Sequence, residues 1–287
     1  PRQHRRDLLD PRGRQNINGV EMTDKQRVKL YNSIAVSFAW VAALLFFFPI
    51  FWMVLTGFKT EAQAIAIPPL LFFEPTLENY TEIQSRTNYG QFALNSIITS
   101  FGGTFIALLI AIPSAYSMAF NTGRWTKDIL MWMLSTKMLP AVGVLMPIYL
   151  LSQKMGMLDS KIVLVVIYAM MNLPIVMLIL FNYFREIPKE ILEASRMDGT
   201  STFNEIKDIV MPLAWGGIAS TALLSIILSW NEAFWSIVLT TTEASTLTAF
   251  VASFQAPEGL FWAKVSAVST LACAPIVVFG WLAQKQL

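Results

Sequence analysis

The stretch EASRMDGTSTFNEIKDIVMP, from Glu193 to Pro212, is a polar interruption in a chain that is otherwise apolar enough to lie in a bilayer. Gly199 stands where a first short helix would end in the left-handed conformation. Thr202 and Glu205 have the spacing of a capping box, which predicts the start of a second helix. The stretch therefore predicts two short helices that meet at a tight glycine turn.

Composition places the rest of the chain in a membrane. Of 287 residues, 55% are hydrophobic and only 14% are charged, whereas about 25% are charged in an average soluble domain. The chain has one cysteine, Cys273, and one histidine, His4. These cannot form a disulfide framework or a Cys/His metal site, so we expect no metal and no catalytic residues.

Uncharged stretches between charged residues define the spans, because a helix needs about 20 mostly apolar residues to cross the hydrocarbon. Five such stretches are long enough, and a sixth apolar segment is interrupted by a single charge, Lys137. The predicted spans are Leu30–Phe58, Thr87–Gly123, Ile129–Leu151, Ile162–Phe184, Ile209–Asn231 and Val265–Gln284. The sequence thus predicts an all-α integral membrane protein with six transmembrane helices.

The distribution of Lys and Arg predicts the orientation. With the N-terminus inside, the inner segments hold fifteen Lys and Arg and the outer segments hold five. We expect a basic cytoplasmic segment, residues 1–32, followed by a transmembrane domain, residues 33–287, with both termini in the cytoplasm. The first span is too long for the apolar region of a cleaved signal peptide and is expected to remain as an anchor.

This topology puts residues 185–212, termed here the 185–212 loop, in the cytoplasm between the fourth and fifth spans. Its second helix would present an apolar stripe with a charged rim. Such an element suits docking into a groove on another protein. It also suits an amphipathic connector that lies along the membrane surface, and periodicity alone does not separate the two.

The pattern of the loop resembles the E-A-A signature of bacterial ABC-importer permeases: Glu-Ala-Ala, three residues, Gly, nine residues, Ile, one residue, Leu-Pro. The positions that match are Glu193, Ala194, Gly199, Ile209 and Pro212, and Asp198 fits the common Asp-Gly form. Two positions depart from the signature, since Ser195 replaces the second Ala and Met211 replaces the Leu. Both replacements are close in size to the usual residue.

The resemblance extends over nearly the whole chain and indicates the carbohydrate-uptake subfamily, in the style of the second permease of maltose-type importers. The similar segments are PTLENYTEI, NSIITS, GMLDS and SWNEAFWSIVLT. The sequence is most similar to sorbitol/mannitol-type systems, although TLTAF at 246–250 replaces the usual Thr-Leu-Pro. This resemblance implies the type I ABC importer permease fold, with alternating access that moves a sugar or sugar alcohol into the cytoplasm.

The resemblance also implies partners. The sequence has no phosphate-binding loop of the G-x-x-x-x-G-K-[ST] kind, so an ABC permease with this sequence would depend on ATP hydrolysis by other subunits. ATP and Mg would be bound by two separate ATP-binding subunits, and this chain would be neither an enzyme nor a cofactor binder. Further partners would be a second related permease, a periplasmic or lipid-anchored solute-binding protein and the lipid of the bacterial inner membrane, with no nucleic acid. The 185–212 loop would be the coupling helix-turn-helix, with Glu193, Ala194, Ser195, Asp198, Gly199, Ile209 and Pro212 as ATPase-coupling residues.

Two other functions remain open on the residues alone. An ion-coupled secondary transporter also has six spans and a basic interior, but such carriers usually have ionisable residues at membrane depth. Here only Lys137 meets that description, and no mid-span carboxylate pairs with it. A non-transport scaffold subunit of a membrane complex would explain the 185–212 loop but not the aromatic and amide-rich segments.

Sugars and polyols are recognised by aromatic faces together with amide or carboxyl groups. On this basis the candidates for the substrate pathway are Lys137, Asn172, Trp230, Asn231, Glu232 and Trp235. The tryptophans can instead belong to the aromatic belt at the membrane boundary. Likewise, Asn172 can satisfy carbonyl groups freed by Pro174, and Lys137 can snorkel to the inner interface.

The outer loop from Lys59 to Gln91 is acidic and contains tyrosine, with LENYTE at its centre. Family resemblance implies that this loop docks the solute-binding protein. The alternative is a solvated connector.

Overall fold

A computed structural model describes residues 24–86, 88–256 and 259–283. The chain divides into two compact units, residues 1–52 and 53–287. The described part of the first unit is helical and belongs to helix α1. Most of the predicted basic N-terminal segment, residues 1–23, lies outside the described residues. The second unit contains the remaining described elements.

Helices account for almost every regular element in the described residues. In chain order they are α1 (Asp24–Gly57), α2 (Glu61–Ala64), α3 (Glu78–Arg86), α4 (Tyr89–Phe120), α5 (Thr126–Thr136), α6 (Ala141–Lys154), α7 (Lys161–Arg185), α8 (Lys189–Met197), α9 (Thr202–Asn204), a π-helix (Glu205–Val210), α10 (Met211–Leu213), α11 (Trp215–Trp230), α12 (Phe234–Leu239), α13 (Leu247–Ser253) and α14 (Trp262–Ala283). Two-residue strands, β1 (Gln255–Ala256) and β2 (Gly259–Leu260), pair antiparallel before α14.

Four helices, α1, α4, α7 and α14, are individually long and apolar enough to cross a membrane. The shortest of them, α14, has 22 residues, which corresponds to about 33 Å at 1.5 Å per residue. That length covers the roughly 30 Å hydrocarbon core. These helices agree with the first, second, fourth and sixth predicted spans.

The third predicted span is not one continuous helix. Its two parts, α5 and α6, meet at an angle of 86°, and the break runs from Lys137 to Pro140. Pro140 has an extended backbone with ψ of 132°. A proline lacks the N–H that would continue the hydrogen-bond ladder and disfavours the helical conformation of the residue before it, so the helix ends there. The sequence predicted one crossing for this segment, with Lys137 as its only charge, whereas the structure has two helices.

The fifth predicted span also belongs to a bent pair. Residues Thr202–Leu213 form one arm and α11 forms the other, and they meet at 83° near Ala214, where φ and ψ are −95° and 13°. The described residues therefore have four uninterrupted candidate spans, and six if each bent pair is one span.

Helices α4 and α7 form the centre of the second unit. Ala107, Ala111 and Ala115 recur every fourth residue on α4, and all three are fully buried. Residues at this spacing lie on one face of a helix, and their small side chains let α7 approach closely, as is usual between helices in membranes. Leu180 and Phe184 of α7 fill the same core.

The N-terminus of α14 is held by the segment between α1 and α4. The carboxylate of Glu61 accepts hydrogen bonds from the backbone N–H groups of Ala263 at 3.1 Å and Lys264 at 3.0 Å. Lys264 also forms an ion pair with Glu82, with a separation of 2.8 Å. An acidic group at a helix N-terminus stabilises the first turn. Two acidic residues of this segment are thus used to position α14.

Candidate functional site

The predicted helix-turn-helix is present in the 185–212 loop. Helix α8 ends at Met197, and Gly199, two residues later, has a φ of +78°. The Gly199 N–H donates to the carbonyl of Arg196 at 3.0 Å, and the Thr200 N–H donates to the carbonyl of Ser195 at 3.0 Å. These two bonds form a Schellman motif, which needs the left-handed conformation that glycine adopts without strain.

The second helix begins differently from the prediction. Ser201, and not Thr202, is its N-cap, and the Ser201 side chain accepts a hydrogen bond from the Asn204 N–H. The capping box predicted for Thr202 and Glu205 is therefore wrong. Because the cap lies one residue earlier, Glu205 begins the π-helix, and its side chain is buried with 1% exposure.

Helix α8 has one face in the protein core and one face free of it. Leu192 and Ser195 are buried, and the Ser195 hydroxyl donates to the Leu192 carbonyl at 3.0 Å. The opposite face is exposed and carries Glu193, Ala194 and Met197, the last with 88% exposure. The turn residues Asp198 and Gly199 are exposed as well.

The predicted coupling residues thus fall into two groups. Glu193, Ala194, Asp198 and Gly199 lie together on an accessible surface, which we call the α8 face. Ser195 points instead into the interior, so the expectation that it faces a partner together with Ala194 is not what the structure shows. On the second arm, Ile209 is half-buried against the α4/α7 core and Pro212 is exposed in α10.

A charge network under the α8 face was missed by the sequence analysis. The Arg196 guanidinium donates through Nε to Oε2 of Glu205 at 3.0 Å and through Nη2 to Oε1 at 3.1 Å. Tyr116 of α4 donates its hydroxyl proton to Oε1 of Glu205 at 2.7 Å. Burial alone would raise the pKa of Glu205, but the hydrogen bonds from Arg196 and Tyr116 outweigh it and hold that pKa below its usual value.

Two of the six substrate-pathway candidates line one cavity. Lys137, in the break between α5 and α6, and Trp235 of α12 both border a space of about 480 Å³. Most of its wall is apolar, with Ile167 and Met171 of α7 among the lining residues. The Lys137 ammonium donates to the Met171 carbonyl at 2.8 Å. The cavity therefore combines a cation and an indole ring, which are groups able to meet a polar ligand with apolar patches.

The other four candidates make contacts elsewhere. Asn172 is buried between α7 and α11, where its amide donates to Ser229 Oγ at 2.7 Å and to the Ser225 carbonyl at 3.4 Å. Trp230 has 3% exposure and donates through Nε1 to the Ala272 carbonyl of α14 at 3.2 Å. Both side chains therefore join helices inside this chain.

Asn231 and Glu232 make local contacts at the end of α11. The Asn231 amide donates to the Ile227 carbonyl at 2.9 Å, and the Glu232 carboxylate accepts from the Trp235 N–H at 3.1 Å. Glu232 thus caps the helix that carries Trp235. Since Trp230 and Trp235 are both buried in the described structure, neither is presented as part of an aromatic belt.

The segment between α12 and α13 is organised by Asp159, a carboxylate of the GMLDS stretch between α6 and α7. Asp159 accepts backbone hydrogen bonds from Thr241, Thr242, Glu243 and Ala244, at 3.0 to 3.2 Å. The Thr241 hydroxyl adds a bond of 2.8 Å. Partial burial opposes ionisation, but these donors outweigh it and hold the pKa of Asp159 well below its usual range.

The NSIITS segment of α4 holds the same region from the other side. The Asn95 amide donates to the carbonyls of Glu243 and Ser245, each at 2.9 Å. Ser96 Oγ accepts from the Leu247 N–H at 2.8 Å. Two of the segments that carry the family resemblance thus act together to fix residues 241–247, beside the helix that carries Trp235.

Residues 107–286 match the family described as binding-protein-dependent transport system inner membrane component. A probable ABC transporter permease protein of Sinorhizobium fredii, y4oR, is 30% identical over 247 residues, which cover 86% of this chain and 89% of the relative. The trehalose/maltose transport system permease protein MalG of Thermococcus litoralis is 28% identical over 249 residues, covering 85% of this chain and 89% of that protein.

A solved structure has the same fold. It is a chain of a bacterial ABC transporter involved in the import of the acidic polysaccharide alginate, and its TM-score is 0.71 at 19% identity. The match covers 93% of this chain and 99% of that chain. At this identity the likeness concerns the fold alone.

Proposed function

We propose a cargo and a coupling surface for this chain, which belongs to the family of binding-protein-dependent transport system inner membrane components and is the membrane-spanning permease subunit of an ATP-driven importer. The cargo is a sugar or sugar alcohol, and the coupling surface is the α8 face with the turn at Gly199. Alternating access between inward-facing and outward-facing states moves the cargo into the cytoplasm. The two alternatives that the sequence left open, an ion-coupled carrier and a scaffold, receive no support from the relatives.

The observation that carries the coupling role is the two-sided construction of α8. Its exposed side presents Glu193, Ala194 and Met197, while Leu192 is buried on the opposite side. A small residue between an acidic and an apolar side chain suits a helix that enters a cleft, and a carboxylate on its edge suits a charge-assisted hydrogen bond with the cleft wall. The buried side passes any movement of the docked helix to the α4/α7 core.

The partner that fits this surface is an ATP-binding subunit. ABC permeases work with ATPases on separate subunits, and this sequence contains no phosphate-binding loop of its own. We infer two such ATP-binding subunits, which carry the ATP and Mg, and a second related permease that pairs with this chain. A periplasmic or lipid-anchored solute-binding protein delivers the cargo. The chain itself performs no chemistry.

The cargo assignment is supported by the relatives and by the cavity beside α12. The Thermococcus litoralis relative is described as a trehalose/maltose permease. In this chain the indole of Trp235 borders the cavity, and aromatic faces pack well against the C–H patches of sugar rings and polyols. Lys137, in the break between α5 and α6, also borders the cavity and supplies hydrogen-bond donors.

The inner-membrane topology follows from the same reading. We place the N-terminus, the C-terminus and residues 185–212 in the cytoplasm, because the Lys and Arg residues concentrate in those segments. Asp159 with residues 241–244, termed here the Asp159 clamp, and the outer loop before α4 then face the side from which the solute-binding protein delivers the substrate.

Two substitutions on the α8 face test the coupling role. Glu193→Lys reverses the charge at the docking surface, and Gly199→Pro removes the left-handed turn. We expect both variants to reach the membrane but to lose co-purification of the ATPase and substrate uptake. Glu186→Lys is the matched control, since Glu186 is an exposed carboxylate of the same loop outside α8. Normal ATPase recruitment and uptake in both α8-face variants would refute the coupling role.

A further inference from the structure

The Glu205 carboxylate lies beneath the α8 face and belongs to neither the docking surface nor the cavity. We propose that Glu205, Arg196 and Tyr116 form a joint that transmits movement of the 185–212 loop to α4, with Glu205 as its positioning residue. This proposal rests on the proposed function of the loop as the coupling element. It assigns a role to three side chains that the docking surface does not use.

The joint first connects the two arms of the loop rigidly to each other. Arg196 lies on α8 and Glu205 lies on the second arm, nine residues later, and two parallel hydrogen bonds of 3.0 and 3.1 Å join them. A bidentate Arg–carboxylate pair fixes orientation as well as distance. Between them, the turn at Gly199 is open, since an added Cβ there would have no neighbour within 4 Å. The ion pair therefore adds a side-chain link between the arms to the backbone hydrogen bonds of the turn.

The joint then ties both arms to a transmembrane helix. The Tyr116 hydroxyl of α4 donates to Glu205 at 2.7 Å and accepts from Arg196 Nη2 at 3.1 Å. The Glu205 side chain is 1% exposed and Tyr116 is 3% exposed, whereas the Arg196 side chain is 44% exposed. A buried carboxylate that loses a partner is left with an uncompensated charge, so the three groups move together rather than separately.

Helix α4 leads from this joint to the outer end of the unit. Tyr116 and Asn95 lie 21 positions apart on one continuous helix, a distance of about 31 Å at 1.5 Å per residue. At that outer end Asn95 and Ser96 hold residues 243–247. A displacement of the loop that shifts α4 therefore reaches the segment next to α12 and α13.

The π-helix explains how Glu205 reaches the interior while its neighbours do not. Residues Glu205–Val210 form a wider turn than an α-helix, a feature that is frequent at functional sites. Glu205 and Val210 are buried, and Lys207 and Asp208 remain exposed. The latter two form a loose pair with a separation of 4.0 Å, which provides a charged control on the same turn.

The test uses the complete importer, reconstituted with its ATPase, second permease and solute-binding protein. Tyr116→Phe removes only the hydroxyl that links the pair to α4, and Glu205→Gln removes the charge with little change of shape. The readout is sugar taken up per ATP hydrolysed. We expect each variant to assemble and hydrolyse ATP, and to lower this ratio at least about fivefold, the usual size of a coupling effect. Asp208→Asn should leave the ratio unchanged.

An unchanged ratio in Tyr116→Phe would overturn the joint, whatever Glu205→Gln does, because the Tyr116 hydroxyl makes the hydrogen bonds that join Glu205 and Arg196 to α4. Should Glu205→Gln fail to assemble, Tyr116→Phe still decides. A merely structural role would reduce the amount of complex and leave the ratio of the assembled complex intact. If Glu193→Lys uncouples the importer while Tyr116→Phe does not, the joint fails and the proposed function stands.

Discussion

Asp159 and Ala244 are 85 residues apart in the chain, and the Ala244 N–H donates to Oδ1 of Asp159 at 3.0 Å. The same carboxylate also accepts hydrogen bonds from the backbone N–H groups of the three residues before Ala244. Asp159 itself has a φ of 54°, in the left-handed region that only a few residue types adopt readily. The connection between α6 and α7 is thus built around one anion that holds the connection between α12 and α13.

Replacing this carboxylate is expected to destabilise the contact between the α6/α7 and α12/α13 connections. Asp159→Asn keeps the size of the side chain but removes the charge that the four N–H groups face, and unsatisfied donors cost about 1–3 kcal/mol. We expect a lower unfolding temperature of the purified permease in detergent. Glu243→Gln is the control, because Glu243 is exposed in the same segment. Equal unfolding temperatures for Asp159→Asn and the wild type would contradict this stabilising role of Asp159.

The same group gives a pH dependence with a defined sign. The folded-state pKa of Asp159 lies below its unfolded value, which is about 3.9. Its contribution to stability is therefore fully present above about pH 4 and is lost as the pH falls through the folded-state pKa. In a pH series of unfolding midpoints, Asp159→Asn should flatten this acid limb, and an unchanged acid limb would mean that another carboxylate is responsible.

Close packing between α4 and α7 should make Gly103 intolerant of a side chain. An added Cβ would lie 2.8 Å from Cβ of Tyr168 and 3.2 Å from the Val165 carbonyl oxygen. Overpacking of this kind costs about 1–3 kcal/mol, so Gly103→Ala should lower the unfolding temperature. Gly280→Ala, in α14 with no atom within 4 Å of the added Cβ, should be neutral or slightly stabilising. A Gly103→Ala protein as stable as the control would show that the helices separate easily.

Charge removal at Lys137 should affect transport and not assembly. Lys137→Gln retains a donor for the Met171 carbonyl but presents no cation to the cavity. If the cavity is on the pathway, the KM for uptake should change about fivefold, which corresponds to the roughly 1 kcal/mol of one hydrogen bond of average strength. Lys154→Gln, at the exposed C-terminus of α6, serves as the control. Unchanged uptake kinetics in Lys137→Gln would exclude its side chain from the substrate route.

Local patterns predicted the helix-turn-helix because its determinants are local. Gly199 ends α8 in a Schellman motif made by residues within five positions of one another. Glu205 was misassigned for the same reason, since a capping box is the local use of a glutamate at that spacing. Its actual partner on α4, Tyr116, is 89 residues away. No periodicity within the loop carries information about that partner.

The six substrate-pathway candidates show the same limit. Residue type indicated Lys137 and Trp235, and both border a cavity. That this cavity belongs to the substrate pathway stays a prediction. Trp230 has the same residue type but reaches α14, 42 residues away, through its indole N–H. Which tryptophan borders the cavity depends on how α11 and α12 are turned in the folded chain. That rotation is set by long-range packing, which composition does not encode.

The central claim is that this chain couples a partner's ATP hydrolysis to carbohydrate uptake. The most direct measurement is purification of the chain from detergent-solubilised membranes with an assay of ATPase activity in what co-purifies. We predict a co-purifying ATP-hydrolysing subunit whose activity is stimulated by a solute-binding protein loaded with a sugar or sugar alcohol. A chain that purifies alone and transports in liposomes on an ion gradient would contradict the claim and reduce the 185–212 loop to a connector.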